Sequence, residues 1–341
     1  MAIVEKVDPR SLDEGTAERC AEISNASSKA AGASQAPVTG YSLAAQFRYT
    51  HDMRPVDGLW LARSGNGPDR AGGDVIGYAS LELSTWDNPH LAFINGAVHP
   101  DHRGRGAGTA LLQTQADAAR VAGRDLLFSF SVRDSPTHRF LAANGFEVGQ
   151  ANAQRRLLFD EIDWPVIERY ADEAARAAAD YELVRLDGRA SDEWLPSLQG
   201  LYESINDAPL DEVDLQPSSF PAERIQRYEN AMAARGQHLY RLMARHRQTA
   251  DWAGHTILCV DSLSPGVGIQ EDTSVVRAHR GHRLGMLLKT TMLLWMRDAE
   301  PGLSTIDTWN AESNPHMIAV NDALGCFVNI RGVSLQRHLT A

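Results

Sequence analysis

The stretch HRGRGAGTALL, residues 102–112, places three glycines and two arginines directly before a run with helical spacing. Glycine accepts positive φ angles and lets a ligand approach the backbone closely, because it has no Cβ atom. The first turn of a helix carries free N–H groups and a partial positive charge, which together favour an anion. A strand, a glycine-rich turn and a helix in this order therefore predict a phosphate-binding loop, with Arg103 and Arg105 adding positive charge.

A looser copy of the same stretch, HRGHRLGMLLK, occurs at residues 279–289. Three pairs of matching positions keep nearly the same separation, 179, 177 and 180 residues: Asp8 with Asp187, Arg103 with Arg280, and Gly145 with Gly325. A repeat of this length is too long for a solenoid, so it predicts two similar domains in tandem.

The length of 341 residues also fits two domains. We predict an N-terminal domain at 1–162, an alanine-rich connecting helix at 163–180 and a C-terminal domain at 181–341. In each half about four strands precede the loop, and the three directly before it resemble an antiparallel meander. The segments 146–149 and 153–159 are then predicted to close the first sheet.

Composition excludes several classes of protein. The net charge of −11, from 44 acidic and 33 basic residues, disfavours a nucleic-acid binder, which usually has a basic face. No apolar run is long enough for a membrane span, and the N-terminus lacks signal-peptide features, so we expect a cytoplasmic monomer or homodimer. The three cysteines, Cys20, Cys259 and Cys326, are too far apart to indicate a disulfide framework or a metal site.

Other phosphate-binding families do not fit the spacing of the loop. A P-loop ends in Gly-Lys-Ser/Thr, which neither copy contains, and a dinucleotide fold has its glycines after the first strand. The pattern R-x-x-G-x-G, between a strand ending in Val and a helix with Leu-Leu, resembles motif A of the GNAT N-acyltransferases. VHPDHRGRGAGTALL matches it at Arg103, Gly106 and Gly108, and NGFEVG matches the Gly-Phe pair that follows the last helix in that family.

The second half contains similar segments, TSVVRAHRGHRLGMLLK and TWNAESNPHMIAVNDALGC. The resemblance implies an α/β chain of two tandem GNAT acyl-CoA N-acyltransferase domains, each a mostly antiparallel mixed sheet flanked by helices. It further implies acetyl-CoA as the acyl donor and a primary amine of a small molecule or peptide as the acceptor.

The same resemblance implies which residues hold acetyl-CoA in the two halves, through the end of a strand, the loop and two amide side chains: Gly96, Val98, Arg103, Gly104, Arg105, Gly106, Ala107, Gly108, Thr273, Val275, Arg280, Gly281, His282, Arg283, Leu284, Gly285, Asn310 and Asn314. For Asn310 and Asn314, helix capping is the alternative. Arg283 replaces the middle glycine, which it can do if its φ stays negative, and its side chain could then pair with phosphate.

Family members commonly place a tyrosine four residues before the Gly-Phe pair, as a proton donor to the leaving thiolate. Here that position holds Leu141 in the first half and Asn321 in the second, and neither can replace a tyrosine. This absence leaves open a non-catalytic acyl-CoA-binding or regulatory protein with degenerate sites.

An amine must lose a proton to attack a thioester, so transfer requires a general base. Glu271 and Asp272 precede the second loop and, on a regular strand, would face opposite sides. The first half has Asn95 in place of Asp272, with Glu82 on the preceding strand as its alternative. We therefore predict catalysis in the C-terminal half, with Asp272 as the residue whose change to Asn removes acyl transfer, and with solvated strand carboxylates as the other interpretation.

The acceptor pocket has a weaker signal. Residues 206–219, NDAPLDEVDLQPSS, carry four carboxylates and no basic residue. They could line a pocket for a polycation, or form a solvated loop.

Overall fold

The computed structural model describes residues 2–65 and 73–339. Most of the turn-rich segment predicted between two early strands, 64–74, lies outside the described residues. The elements in chain order are β1 (Ile3–Lys6), α1 (Glu14–Ala30), α2 (Gly40–Arg48), β2 (Gly58–Arg63), β3 (Val75–Leu83), β4 (Leu91–Val98), α3 (Ala107–Val121), β5 (Leu126–Val132), α4 (Pro136–Ala143), β6 (Glu147–Leu158), α5 (Trp164–Ala177), β7 (Tyr181–Asp187), α6 (Leu195–Glu203), α7 (Ala222–Ala234), β8 (Gln237–His246), β9 (Trp252–Asp261), β10 (Ser264–Val275), α8 (Leu284–Ala299), β11 (Thr305–Ala311), α9 (Pro315–Ala323) and β12 (Phe327–His338).

The chain divides into two units. Within the described residues, the first contains the stretch up to Ala151, Asp211–Gln216 and the stretch from Gly332 onward; the second contains Asn152–Leu210 and Pro217–Arg331. The predicted cut at 163–180 is therefore simpler than the observed division, in which segments of the second half of the chain pack into the first unit.

Each unit is built on a six-stranded sheet with the same pattern of pairing. The order is β1-β2-β3-β4-β5-β12 in the first and β7-β8-β9-β10-β11-β6 in the second. Among the described residues of both units, only the fourth and fifth strands in this order, β4 with β5 and β10 with β11, pair in parallel. The other pairs are antiparallel. The predicted mixed, mostly antiparallel sheet is confirmed in both halves.

The closing strands are exchanged relative to the sequence. Residues 332–338 of β12 pair with β5 in the first unit, and residues 152–158 of β6 pair with β11 in the second. The prediction that 153–159 close the first sheet is wrong. A pattern of apolar and polar residues indicates a strand and its buried face, but it does not specify which edge that strand will join.

Helix starts follow ordinary capping chemistry. The side chain of Asp13 accepts from Thr16 N at the start of α1, and that of Asp163 accepts from Val166 N at the start of α5. α5 occupies most of the predicted connecting helix. No helix in the part of the chain that the structure describes is long and apolar enough to cross a membrane.

Helices cover both faces of each sheet and bury its apolar side chains. In the first unit, Leu111 and Leu112 of α3 pack on one face, and Ile23 of α1 with Phe47 of α2 packs on the other. In the second unit α5 and α8 share one apolar cluster, and α6 with α7 forms another. Burial of one such aliphatic side chain contributes about 1.5–3 kcal/mol. These two layers fix the strands whose ends carry the glycine loops.

Candidate active sites

The loop of the first unit has the backbone of an anion site. Gly104 and Gly106 have φ angles of 72° and 85°, and Gly106 is the N-cap residue of α3. A Cβ atom built on either glycine would meet nothing within 4 Å, so the space before the helix is open. The free amides of the first helical turn can therefore receive an anion, as predicted from the sequence pattern.

Arg103 holds this loop in place. Its Nε donates to Val98 O at 3.1 Å, and its Nη2 donates to Ser27 Oγ at 2.8 Å. Partial burial lowers the pKa of Arg103 slightly from its usual high value, so the guanidinium stays charged. Its main contribution is to tie the loop to the end of β4, while Arg105 is exposed beside it.

A cleft opens beside the loop because β4 and β5 part. They pair only over Leu91–Phe93 and Leu126–Phe128, and beyond that point a cavity of about 520 Å³ lies along them. We call this gap the first split. The predicted cofactor-binding residues that line it are Gly96, Val98, Arg103, Gly104, Gly106 and Gly108.

The lining of the first split is mainly apolar, with Leu111, Leu112, Phe140 and Leu141 among its residues. Among the residues that the structure describes, those lining the first split include no Asp, Glu, His or Lys. Glu82, predicted as a candidate base, is not among the lining residues. It lies near Arg54: burial lowers the pKa of that guanidinium, whereas Asp57, Asp52 and then the charge of Glu82 raise it. The first split can hold an elongated ligand, but it offers no carboxylate or imidazole to accept a proton.

Two polar side chains of the first split were missed in the sequence. Gln115 is buried and donates from Nε2 to Ser80 O at 2.7 Å and to Asn95 O at 2.9 Å. Ser129 Oγ donates to Ile94 O at 3.1 Å, where the strands have just separated. Gln115 lies among other polar residues of α3 and Ser129 lies in a mainly apolar strand, and neither pattern reveals which polar side chain is buried.

The second unit repeats the loop with one substitution. Gly281 has φ 90°, and Arg283 takes the place of Gly106 as N-cap of α8 with φ 55°. The condition stated for an arginine at this position, a negative φ, is therefore not met. A left-handed backbone costs a non-glycine residue about 1–2 kcal/mol, which the packing of α8 must offset. The loop geometry has been kept at the expense of local strain.

Arg280 anchors this loop in the same way as Arg103 anchors the first. Its Nε donates to Val275 O at 3.1 Å, and its Nη2 donates to Asp207 Oδ2 at 2.6 Å. Hydrogen bonds from Arg277, with the charges of Arg277 and Arg280, lower the pKa of Asp207. One carboxylate of the acidic segment 206–219 therefore pairs with the loop's own arginines, which differs from the predicted polycation pocket.

The rest of that acidic segment packs elsewhere. Residues 211–216 belong to the first unit, where Glu212 N donates to Gly149 O at 2.9 Å and Asp214 N donates to Gln336 Oε1 at 2.9 Å. The side chains of Asp211, Glu212 and Asp214 are exposed, as expected for a solvated loop.

The Arg283 side chain makes a half-exposed ion pair with Glu173 of α5, with 3.4 Å between Nη1 and Oε2. Such pairs contribute about 0–1 kcal/mol, so a phosphate can compete for the guanidinium. We predict that Arg283→Gly weakens acyl-CoA binding to the second unit about tenfold, by the loss of one charge-assisted hydrogen bond. Calorimetry on a chain with a disabled first loop would measure this, with Glu173→Gln as control. Unchanged affinity in Arg283→Gly would leave the side chain with no role in binding.

A β-bulge lies where β10 approaches β11. Gln270 is opposite Leu258 and Thr273 is opposite Thr256 on β9, so Glu271 and Asp272 together face the single residue between them, Ile257. An extra residue in one strand changes the alternation of side chains. The prediction that Glu271 and Asp272 face opposite sides is therefore wrong.

Both carboxylates face α6 and α7. Asp272 Oδ2 lies 2.7 Å from Nε2 of the fully buried His255 and accepts from Ser274 Oγ at 3.1 Å. Glu271 raises the pKa of Tyr228 of α7, after desolvation of that phenol, which places its charge on the same side. Desolvation, followed by the charge of Asp272, raises the pKa of Glu271 although the residue keeps contact with solvent.

A buried polar group beneath these carboxylates was also missed in the sequence. Arg241 Nη2 donates to Glu229 Oε1 at 2.6 Å and to Tyr202 OH at 2.7 Å, and the ring of Tyr202 packs edge-on against His255 at 5.2 Å between centroids. Arg241 and Glu229 are 1% and 2% exposed in their side chains. This group supports the imidazole that holds Asp272, so Asp272 is fixed while Glu271 is free to meet a ligand.

The two predicted amides have different partners. Asn314 caps α9, with Oδ1 accepting from Met317 N at 3.2 Å, so the capping interpretation describes its contact. Asn310 Oδ1 accepts from Asn321 Nδ2 at 2.6 Å, on the side of β11 where it has parted from β10. β10 and β11 stop pairing after Gln270 and Thr308, and we call the region between the two strands beyond this pair the second split.

Comparisons with known proteins agree with this geometry. Residues 33–146 match the acetyltransferase (GNAT) family. The fold is similar to that of a tandem GNAT protein from the clavulanic acid biosynthesis pathway, with a TM-score of 0.78 and 26% identity over 100% of this chain and 99% of that one.

Two further solved structures share the fold at lower identity. A GCN5-related N-acetyltransferase from Sphaerobacter thermophilus has a TM-score of 0.67 and 16% identity over 100% of this chain and 96% of its own. A putative acetyltransferase from Pyrococcus horikoshii has a TM-score of 0.57 and 13% identity over 99% and 90%. No curated protein sequence matches the chain significantly.

Proposed function

We propose that the chain is a tandem GNAT N-acyltransferase, and that it transfers an acetyl group from acetyl-CoA to the primary amine of a small molecule or peptide. In this proposal the two units have different functions. The first binds acyl-CoA without turning it over, and the second carries out the transfer.

The first split supports binding. Its glycine loop leaves open space before α3, and its cavity of about 520 Å³ runs from that loop along the separated strands. The residues present fit a pyrophosphate at the helix start and an extended, mainly apolar arm beyond it. Because no lining residue can act as a base at neutral pH, a bound amine there would keep its proton. The alternative of a non-catalytic acyl-CoA-binding site therefore describes this unit well.

The second unit has the acid–base groups that the first lacks. At the positions of Glu271 and Asp272, the first unit has Ile94 and Asn95. Burial raises the pKa of Glu271 toward neutral pH. Its carboxylate is therefore a stronger base at physiological pH than an ordinary glutamate. Its charge also favours the protonated amine on arrival. Asp272, held by His255, keeps a second negative charge beside it.

One observation carries the proposal. A single strand, β10, bears the bulge at Glu271 and Asp272, parts from β11 at the same point, and ends in the glycine loop before α8. The base, the gap for a thioester and the anion site are thus aligned along one element. GNAT-type transfer requires all three within the length of a pantetheine arm.

A direct assay tests the function. Saturating acetyl-CoA is supplied with a panel of primary amines, from polyamines and aminoglycosides to peptide N-termini, while release of free thiol is followed. We expect thiol release that depends on one class of amine and gives the N-acetyl product by mass spectrometry. Tight acetyl-CoA binding by calorimetry, with no release for any amine, would instead establish the non-catalytic alternative.

A further inference from the structure

The internal repeat identifies three residues of the second unit that have changed together. Lys289 lies 177 residues after Leu112, the separation of the two anchoring arginines, and Asn321 lies 180 residues after Leu141, the separation of the two loop-end glycines. In the first unit Leu112 and Leu141 both line the split. Their counterparts are therefore expected on the wall of the second split.

These counterparts form a chain of hydrogen bonds. Lys289 Nζ donates to Asn321 Oδ1 at 2.6 Å, and Asn321 Nδ2 donates to Asn310 Oδ1 at 2.6 Å. Lys289 is 6% exposed and Asn321 is fully buried. These hydrogen bonds join α8, which follows β10, to α9 and to the end of β11 that has parted from β10.

The choice of lysine at this position is informative. The sequence has only three lysines, Lys6, Lys29 and Lys289, among 33 basic Lys and Arg residues. An arginine could provide the same charge, but it does not release its proton in proteins. The buried guanidinium groups of Arg155 and Arg241 keep their charge, whereas the buried amine of Lys289 can release its proton.

Burial lowers the pKa of Lys289 to about 8, and the nearby Cys326 acts in the opposite direction. Burial raises the pKa of the Cys326 thiol, so that group stays neutral, and the ion pair of Arg155 with Asp322 lies beside it. Lys289 can therefore lose a proton near neutral pH, and its ammonium form is not held by a carboxylate in direct contact.

We propose that Lys289 is the proton donor to the thiolate that leaves the acyl donor in the second split, with Asn321 positioning its amine. This inference rests on the proposed function of the second unit. It explains why Asn321 can occupy the position where family members commonly have a tyrosine: the proton comes from the lysine that the asparagine holds.

The transfer balances with this assignment. The acceptor amine first loses one proton to solvent; its nitrogen then forms a bond to the carbonyl carbon while Glu271 takes a second proton from that nitrogen. The carbon–sulfur bond then breaks, its electron pair goes to sulfur, and Lys289 gives the sulfur a proton. The products are the amide and free CoA thiol, and the proton on Glu271 returns to Lys289 through solvent.

The kinetic test compares Lys289→Met with Lys29→Met, a change at an exposed lysine on α1. We expect Lys289→Met to lower kcat about 10²-fold while acyl-CoA affinity changes less than twofold, and Lys29→Met to change neither. Wild-type activity should fall as pH rises above about 8, because the ammonium form is needed. Lys289→Met should lose this alkaline decline.

A second test needs no turnover and works if Lys289→Met folds poorly. With 13C at the ε position of lysine, the wild-type chain gives three signals to titrate by NMR. We expect one to titrate near pH 8 and to shift to a higher pKa when CoA is added, because a bound thiolate stabilises the ammonium form. The other two signals should titrate with ordinary lysine pKa values, and adding CoA should not change these values.

The outcomes separate this inference from the proposed function. A Lys289 signal that titrates normally and ignores CoA, or a Lys289→Met variant with wild-type kcat and pH profile, would overturn the inference while transfer itself stands. A wild-type chain that transfers no acyl group to any amine would overturn the proposed function, and the proton donor with it.

Discussion

Glu271→Gln is expected to lower kcat for acyl transfer by about 10²–10⁴-fold and to leave acetyl-CoA affinity nearly unchanged. Glutamine keeps the size of the side chain but cannot accept the proton of the attacking amine. The rate of thiol release at saturating substrates measures the loss, and calorimetry measures the affinity. Glu223→Gln, at an exposed carboxylate of α7 paired with Arg227, is the matched control and should behave as wild type.

Asp272→Asn distinguishes the two neighbouring carboxylates. His255 already holds Asp272 at 2.7 Å, so we expect a smaller loss than for Glu271→Gln. If Asp272→Asn abolishes transfer and Glu271→Gln retains it, then Asp272 is the general base and the assignment of this function to Glu271 is wrong.

The second large effect concerns the first loop. Gly106→Val should lower the affinity of the first unit for acetyl-CoA at least a hundredfold, roughly 3 kcal/mol. Its Cβ would enter the open space before α3, where the amides are free, and a β-branched residue is strained at φ 85°. Calorimetry would measure the loss of one binding event per chain.

Gly123→Val is the matched control for this change. Gly123 follows the other end of α3, has φ 72° and likewise has no atom within 4 Å of a built Cβ. It therefore carries the same backbone strain without a ligand site. Equal loss of affinity in both variants would attribute the effect to strain in α3 and would argue against an anion site at the loop.

Much of the fold could be predicted from the sequence because its signals are local. The loop glycines, the strand before them and the helix after them lie within a few residues of each other, and Gly104 and Gly106 take the positive φ angles that only glycine accepts easily. The repeat then transferred the prediction to the second half. The exception is Arg283, which keeps the positive φ of the glycine that it replaces.

The errors concern features set by partners distant in sequence. Residues 153–159 form a strand as predicted, but the edge that they join depends on β11, and nothing in their own pattern specifies it. The bulge at Glu271 and Asp272 depends on the register with β9. A pattern that assumes strict alternation therefore places one of these two carboxylates on the wrong face.

The most telling omission was Lys289. In the sequence it follows two leucines on an apolar helix, where a lysine is usually explained by its long side chain reaching solvent. Its burial and its bond to Asn321 become visible only when α8 and α9 are placed together. Comparing each position of the second half with its counterpart in the first would have shown the change from leucine.

The division of work between the two units is tested most directly by one crystal structure. Glu271→Gln, which should bind but not transfer, is crystallised with an acetyl-CoA analogue whose thioester is replaced by a ketone. The account predicts analogue in both splits, with the ketone of the second lying between Gln at position 271 and Lys289. Analogue in the first split alone, at a concentration that saturates transfer by the wild type, would contradict it.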